Sequence, residues 1–340
     1  MRFSSLIQLD TPEFEIHFPA ACRERNMGRL GTLTDLLTPE PIADLRDDEA
    51  APLLADVEIL LTGWRSRPLD AELRRRMPKL RMVAHLAGTV KGVLSPGTAA
   101  EGLTVVSAAD ANAKPVAEFT LAHILLHLKR VPEWRKVYRA ERSAIATRRT
   151  VLAGPVGNSG RTVGIIGASR IGRLVAADLR HHGIAVLLHD PFVSEEAAAA
   201  MGARKVEMDA LLRESDVVSL HQPLLPSTER SFGAAEFAKM RDGALLINTA
   251  RGRIIDNDAL VAAMTEGRIF AVLDVTDPEP LPDDSPLWSL PNVTVTPHIA
   301  GSFGCEVCDM TAMVLDDIER FTRNEPLQHE VIIADWERVA

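Results

Sequence analysis

Short apolar runs alternate with longer amphipathic stretches along most of the chain. Residues 57–61, 82–86 and 103–107 read as buried strands, and 70–77 as a helix closed off by Pro78. Residues 113–130 predict a long helix. Pro115 suits its first turn, and Val116, Phe119, Leu121, Ile124, Leu125 and Leu128 nearly encircle it. A helix so apolar on every side belongs between layers or between domains. Pro132 should end it, and residues 131–160, Arg-rich and then Gly-rich, read as an extended connection. Beyond that, strands are expected to begin near Val163, Ile184, Asp216, Ala244, Ile269 and Asn292, with helices or helical turns between them. The run Ala197 to Ala200 reads as helix, and residues 302–323 as a long final helix. Strands alternating with crossover helices predict an α/β protein built on doubly wound parallel sheets. The six strands of the second half match a nucleotide-binding arrangement.

Composition narrows the possibilities. At 340 residues the chain has room for about two domains. The net charge of −9 gives no global attraction to nucleic-acid phosphate. No run of 18 or more apolar residues predicts a membrane span, and the first residues do not resemble a secretory signal. The tail after residue 323 is short, so no appended regulatory domain is expected. Three cysteines cannot make a disulfide framework, which fits a reducing cytoplasm. Cys305 and Cys308 form a C-x-x-C without a second pair, and Cys22 is remote, so core packing is expected there. His123 and His127, four apart on the apolar helix, are expected to be buried and hydrogen-bonded. No metal site is expected. The arginines of 135–149 read as a solvated face or a dimer arm.

Candidate chemistry begins at Thr162. The sequence Val163-Gly164-Ile165-Ile166-Gly167-Ala168-Ser169-Arg170-Ile171-Gly172 reads as a strand, a tight turn and a helix start. It approaches the dinucleotide fingerprint G-x-G-x-x-G, with Gly167 and Gly172 in place and Ser169 at the second glycine position. Asp190 stands at the end of the next expected strand, where a carboxylate accepts from ribose hydroxyls and repels a 2′-phosphate. That favours NAD over NADP. Three further segments come at later strand ends. Asn248-Thr249-Ala250-Arg251-Gly252 offers a guanidinium, Asp274 to Pro280 offers Asp277 and Glu279, and Thr296-Pro297-His298-Ile299-Ala300-Gly301 offers an imidazole. An arginine fork grips a carboxylate, an imidazole exchanges a hydroxyl proton, and an acid favours the charged imidazolium. Asp277 is expected to be a turn residue.

Taken with His221-Gln222-Pro223-Leu224, these motifs resemble those of the D-isomer-specific 2-hydroxyacid dehydrogenases over nearly the whole chain. The resemblance implies a cofactor domain at 111–301 and a split substrate domain, 1–110 plus 302–340, both Rossmann-like, with the active site in the cleft between them. It implies NAD as cofactor, and Arg251, Glu279 and His298 as the catalytic set. His221 and Pro223 would flank the adenosine, and Asp274 would approach the nicotinamide carboxamide. Gly167, Ser169, Arg170, Ile171, Gly172, Asp190, Thr228, Thr249, Ala250 and Gly301 complete the implied cofactor site. In the implied reaction NADH gives hydride to a carbonyl carbon, His298 paired with Glu279 protonates the oxygen, and Arg251 holds the carboxylate. The chain departs from the family pattern at Ser169 and at Leu86-Ala87-Gly88-Thr89-Val90-Lys91, where many members have a glycine-rich turn followed by an aspartate. The amides of Gly88 and Thr89 remain available to hold a substrate carboxylate.

The expectation is therefore an NAD-dependent dehydrogenase of a small D-2-hydroxy acid, related to glyoxylate and hydroxypyruvate reductases, cytoplasmic and homodimeric through the long helix. Two alternatives stay open. One is 3-phosphoglycerate oxidation, with Arg65 or Lys91 as the phosphate partner; Trp64-Arg65 either touches substrate or packs in its loop. The other is a non-catalytic NAD-sensing protein on the same fold. Formate dehydrogenases are disfavoured because they carry glutamine in place of Glu279.

Overall fold

The computed structural model describes residues 2–99, 102–151 and 156–338. It divides into two compact units, Met1–Pro115 with Gly301–Ala340, and Val116–Ala300. Residues 1, 100, 101, 339 and 340 of the expected substrate domain, and 152–155 of the expected connection, lie outside the described residues.

In the first unit the elements run β1 (Phe3–Gln8), α1 (Thr11–His17), α2 (Arg23–Leu33), β2 (Thr34–Leu36), β3 (Ile59–Thr62), α3 (Ala71–Arg76), β4 (Met82–His85), α4 (Pro96–Ala99), β5 (Thr104–Ser107) and the start of α5 (Ala109–Leu128). The last helix of the chain, Glu306–Thr322, belongs here too. All strand pairs are parallel, in the order β2-β1-β3-β4-β5. This is the flavodoxin-like doubly wound arrangement. Strand residues alternate between two cores: Leu60 and Val83 face one, and Ile59, Leu61, Met82 and Ala84 face the other. Burial on both faces explains why these strands read as unbroken apolar runs. Aspartates cap α1 and α3. Asp10 accepts from the Glu13 amide at 2.9 Å, and Asp70 from the Leu73 amide at 2.9 Å. The strands β1 and β2 and the helices α1 and α2 were not individually predicted from sequence.

The second unit continues α5 and adds α6 (Val131–Glu141), α7 (Ala144–Val151), β6 (Thr162–Ile166), α8 (Arg170–His181), β7 (Ala185–His189), α9 (Glu195–Ala200), β8 (Arg204–Lys205), α10 (Met208–Glu214), β9 (Val217–Leu220), α11 (Ala234–Lys239), β10 (Leu245–Asn248), α12 (Asn257–Glu266), β11 (Phe270–Leu273) and β12 (Val293–Val295). The remaining helix, Glu306–Thr322 in the first unit, is α13. The sheet is parallel throughout, in the order β12-β11-β10-β9-β6-β7-β8, with the switch point between β6 and β9. Val163, Ile165, Leu245 and Ile247 face one core, and Ile166, Leu246, Ala271 and Leu273 the other.

Several expectations need correction. Residues 131–151 are not an extended connection but the helices α6 and α7; Pro132 occupies the first turn of α6, where its missing N–H costs nothing. The long helix starts at Ala109, so Pro115 lies inside it. The second sheet has seven strands, the extra one being the two-residue edge strand β8, too short to show a pattern. Cys308 is not merely packed beside Cys305 but disulfide-bonded to Cys22, while Cys305 is free and exposed. Among the described residues no helix is long and apolar enough to cross a membrane, and no group of His, Cys, Asp and Glu is placed to hold a metal ion. His127 bonds the Gly243 carbonyl at 3.1 Å, and His123 packs on the Phe119 ring.

Candidate active site

The turn after β6 is shaped by two positions that tolerate no side chain. Gly167 has φ +95°, and a Cβ there would lie 2.5 Å from the Gln222 nitrogen on the segment after β9. The two strand ends are thus pressed together at the switch point. A Cβ on Gly172 would overlap the Gly167 carbonyl, so the start of α8 packs directly on the turn. Ser169 takes extended dihedrals and caps α8, its hydroxyl accepting from the Gly172 amide at 3.3 Å. Arg170 and Ile171 form the first turn. Asp190, past β7, accepts from the Ala168 amide at 2.7 Å and the Phe192 amide at 2.8 Å. His221 is buried beside this turn. Its Nε2 meets the Ser219 hydroxyl at 2.9 Å, its Nδ1 bonds no protein atom, and burial pushes its pKa down to about 3. Thr228 closes its own turn, donating to the Pro223 carbonyl at 2.6 Å and accepting from the Leu225 amide at 2.7 Å.

The arginine, acid and histidine sit on the loops after β10, β11 and β12, adjacent strands of one sheet. Asn248, the last residue of β10, shapes the first loop: its side chain donates to the Arg251 carbonyl at 2.9 Å and accepts from the Ala250 amide at 3.0 Å. Thr249 is buried, with its hydroxyl 3.4 Å from that of Thr120. A Cβ on Gly252 would overlap the Thr276 carbonyl, so the arginine loop lies flush on the acid loop. Crowding by protein atoms lowers the Arg251 pKa and the nearby Glu279 carboxylate opposes this; an arginine so placed stays cationic. Glu279 lies between two cis prolyl bonds, and its Oε1 is 2.7 Å from His298 Nδ1. Both side chains are about half exposed.

His298 is held in the left-handed region, at φ +55°. A non-glycine residue stays there only when its surroundings insist on it. Asp274 does the insisting. It is buried, and its carboxylate accepts from the Thr296 hydroxyl at 2.6 Å, the Ile299 amide at 2.8 Å and the Ala300 amide at 2.9 Å. The expected contact of Asp274 with the cofactor is thus joined by a role that sequence reasoning missed. Asn248 was missed in the same way, although its place at the end of an apolar strand was a signal.

In the first unit, Gly88 and Thr89 follow β4 and are half-buried. Asn112 of α5 stands over both Gly88 and Gly301. A Cβ on Gly88 would lie 3.6 Å from its Nδ2 and one on Gly301 2.9 Å from its Oδ1, which accepts from the Ser302 amide. Gly301 therefore belongs with the Asn112 support in this unit. Beneath the same strand ends lies a polar cluster that the sequence did not announce. His85 Nδ1 meets the Thr62 hydroxyl at 2.9 Å, and His17 accepts from the Trp64 amide at 3.2 Å and stacks on its ring. Burial pushes His85 down to about 4 and His17 down to about 3. Burial and then Asp10 raise the Glu13 carboxyl. Arg65 is exposed at φ +60°, 3.9 Å from Glu13.

The β6–α8 turn suits a dinucleotide. It combines a glycine with positive φ, a helix N-terminus, a carboxylate past the neighbouring strand and buried unpartnered atoms on His221 and Gln222. Comparisons with known proteins agree. The family model for the NAD binding domain of D-isomer specific 2-hydroxyacid dehydrogenases matches residues 121–300. A glyoxylate reductase of Korarchaeum cryptofilum is 33% identical over 290 residues, 83% of this chain and 87% of that one. A D-3-phosphoglycerate dehydrogenase of Archaeoglobus fulgidus is 33% identical over 264 residues, 77% of this chain and 49% of that one, so the chain spans about half the length of that relative. Among solved structures, the TT0316 protein of Thermus thermophilus gives a TM-score of 0.70 at 28% identity, covering 98% of this chain and 100% of that one. The apo D-mandelate dehydrogenase of Rhodotorula graminis gives 0.77 at 24% identity, covering 98% of each, a likeness of fold. The chain belongs to the D-isomer-specific 2-hydroxyacid dehydrogenase family and is an oxidoreductase with NAD as its cofactor.

Proposed function

We propose that the protein reduces a small 2-oxo acid of the glyoxylate or hydroxypyruvate kind to the D-2-hydroxy acid, with Arg251, Glu279 and His298 as its catalytic residues. The observation that carries this reading is the 2.7 Å His298–Glu279 contact one strand away from Arg251. Bound NADH supplies the hydride. Arg251 grips the substrate carboxylate and polarises the carbonyl. Glu279 accepts from His298 Nδ1, which leaves Nε2–H to protonate the carbonyl oxygen and then to be recharged from solvent. Asp274 and Asn248 fix the two loops, so that little reorganisation is needed on substrate binding. The N-terminus of α8, just past Ser169, would hold the pyrophosphate, since the Gly167, Ala168 and Gly172 amides already donate within the protein, and Asp190 would hold the ribose. Within the first unit, the Gly88 and Thr89 amides are the proposed substrate contacts.

A homodimer in the cytoplasm is part of the proposal, although the Cys22–Cys308 bond removes the lack of a disulfide as its support. The exposed Val131, Tyr138 and Ile145 on α6 and α7 support a contact between copies. One observation favours a second substrate reading: the exposed Arg65 at the end of β3 offers a cation for a phosphorylated 2-oxo acid. Turnover of NADH against glyoxylate, hydroxypyruvate, 3-phosphohydroxypyruvate and larger 2-oxo acids tests the proposal. The unphosphorylated small acids should give the highest kcat/KM. Preference for the phosphorylated one would establish the second reading. NADH binding without any turnover would make the protein a sensor.

A further inference from the structure

The first unit holds all three cysteines of the chain, and the proposed reaction uses none of them. Cys22 ends the short segment between α1 and α2, and Cys308 lies in the first turn of α13; both are buried. Their Cα atoms are 5.9 Å apart, inside the range for a disulfide. Cys305 is exposed and immediately precedes α13. Its backbone is already helical, at φ −67° and ψ −24°. Residues three apart on a helix share a face with Cβ atoms about 5–6 Å apart, against about 3.5–4.5 Å across a formed disulfide. A shift of about 1–2 Å in the terminal turn of α13, where a helix yields most easily, joins Cys305 to Cys308.

We propose that Cys305 is an exchange thiol for the Cys22–Cys308 disulfide, making the joint between the α1–α2 segment and α13 a redox-labile clasp. The Cys305 thiolate attacks Cys308 Sγ. The Cys305–Cys308 bond forms as the Cys22–Cys308 bond breaks, and Cys22 leaves as a thiolate that takes up the proton Cys305 gave up. Two sulfurs are oxidised before and after, so the swap needs no outside oxidant. Full reduction needs an external dithiol, which meets the Cys305–Cys308 pair at the surface instead of the buried Cys22–Cys308 bond. The clasp has a structural consequence. Thr311, one turn past Cys308, donates to the His17 carbonyl at 2.7 Å, and His17 carries the Trp64 turn. Cys22 lies five residues beyond His17, so the disulfide and Thr311 tie the same segment to the same helix.

The test uses the full-length protein oxidised with glutathione disulfide and then reduced stepwise with dithiothreitol. Samples are quenched with acid and alkylated with N-ethylmaleimide in denaturant, and peptides are mapped by mass spectrometry without reduction. The oxidised wild type should yield linked Cys22–Cys308 peptides and alkylated Cys305. Partial reduction should reveal a Cys305–Cys308 species. Cys305→Ser should slow reduction of the Cys22–Cys308 bond at least tenfold, with Cys305→Ala as a second variant of an exposed position. Reduction at the wild-type rate in both variants, or three alkylated cysteines in the oxidised wild type, overturns the proposal.

Discussion

The two units solve one geometric problem with opposite electrostatics. Each is a parallel sheet whose functional candidates sit on loops past the strand ends. In the second unit those loops display charge: Arg251, Glu279 and His298 are exposed, and the polar groups that brace them are saturated by partners. In the first unit the groups under the strand ends are buried, and burial disfavours their charged forms. His17 and His85 are held uncharged by burial, and His17 Nδ1 bonds no other protein atom. An imidazole that must gain and lose a proton needs contact with solvent and a counter-charge. One that only props a turn can be kept neutral.

The contrast can be broken at four points. The largest effect is expected at the exposed histidine. His298→Ala should lower kcat by about 10² or more and leave NADH affinity nearly unchanged, because general acid–base catalysis is typically worth about 10²–10⁴. A kcat within threefold of wild type, measured at saturating substrate, would assign the proton to another group. Next comes the brace. Asp274→Ala strips the acceptor from the buried Ala300 amide, the Ile299 amide and a hydroxyl, and should cost about 3 kcal/mol of stability with at least a tenfold fall in kcat. Urea unfolding and steady-state kinetics read both. Loss of stability with unchanged kcat would mean that His298 does not need the clamp.

The buried histidines come third. Their folded pKa values lie below the roughly 6.5 of an unfolded chain, so between pH 6.5 and about 4 the unfolded state binds protons the native state refuses. Stability should therefore fall as pH drops through this window, by up to about 1.4 kcal/mol per pH unit for each such histidine. His85→Gln should flatten the dependence by about that amount, or about 2 kcal/mol at pH 5. Parallel stability curves for variant and wild type from pH 7 to 5 would show that the His85 ring is already charged in the folded protein. The smallest effect is expected at Ser169. Glycine in its place gives up a helix cap worth a few tenths of a kcal/mol and a hydroxyl that can reach phosphate, but relieves crowding of the backbone. NADH Kd, from fluorescence titration, should change less than tenfold. A larger change would make the Ser169 hydroxyl a principal phosphate ligand.

The chain's own pattern determined a great deal. Strands buried on both faces announce themselves as apolar runs, so β3 to β7 and β9 to β11 were legible within a residue or two, and the half-exposed β12 was legible from its place in the strand–helix rhythm. The glycines at 167 and 172 and the strand-end Arg251, Glu279 and His298 were legible because turns and exposed chemistry are written in short local motifs. Tertiary structure alone decided the rest. The helices α6 and α7 are rich in arginine, with no buried residue in α6 to set a clear apolar stripe, so their sequence looked like a connection. Asp274 could not be known as the clamp on His298, nor Asn112 as the neighbour of both Gly88 and Gly301, until the strand order set them side by side. The Cys22–Cys308 bond joins residues 286 positions apart. Spacing carries no information across such a distance, because only the packing of α2 against α13 brings the two sulfurs together.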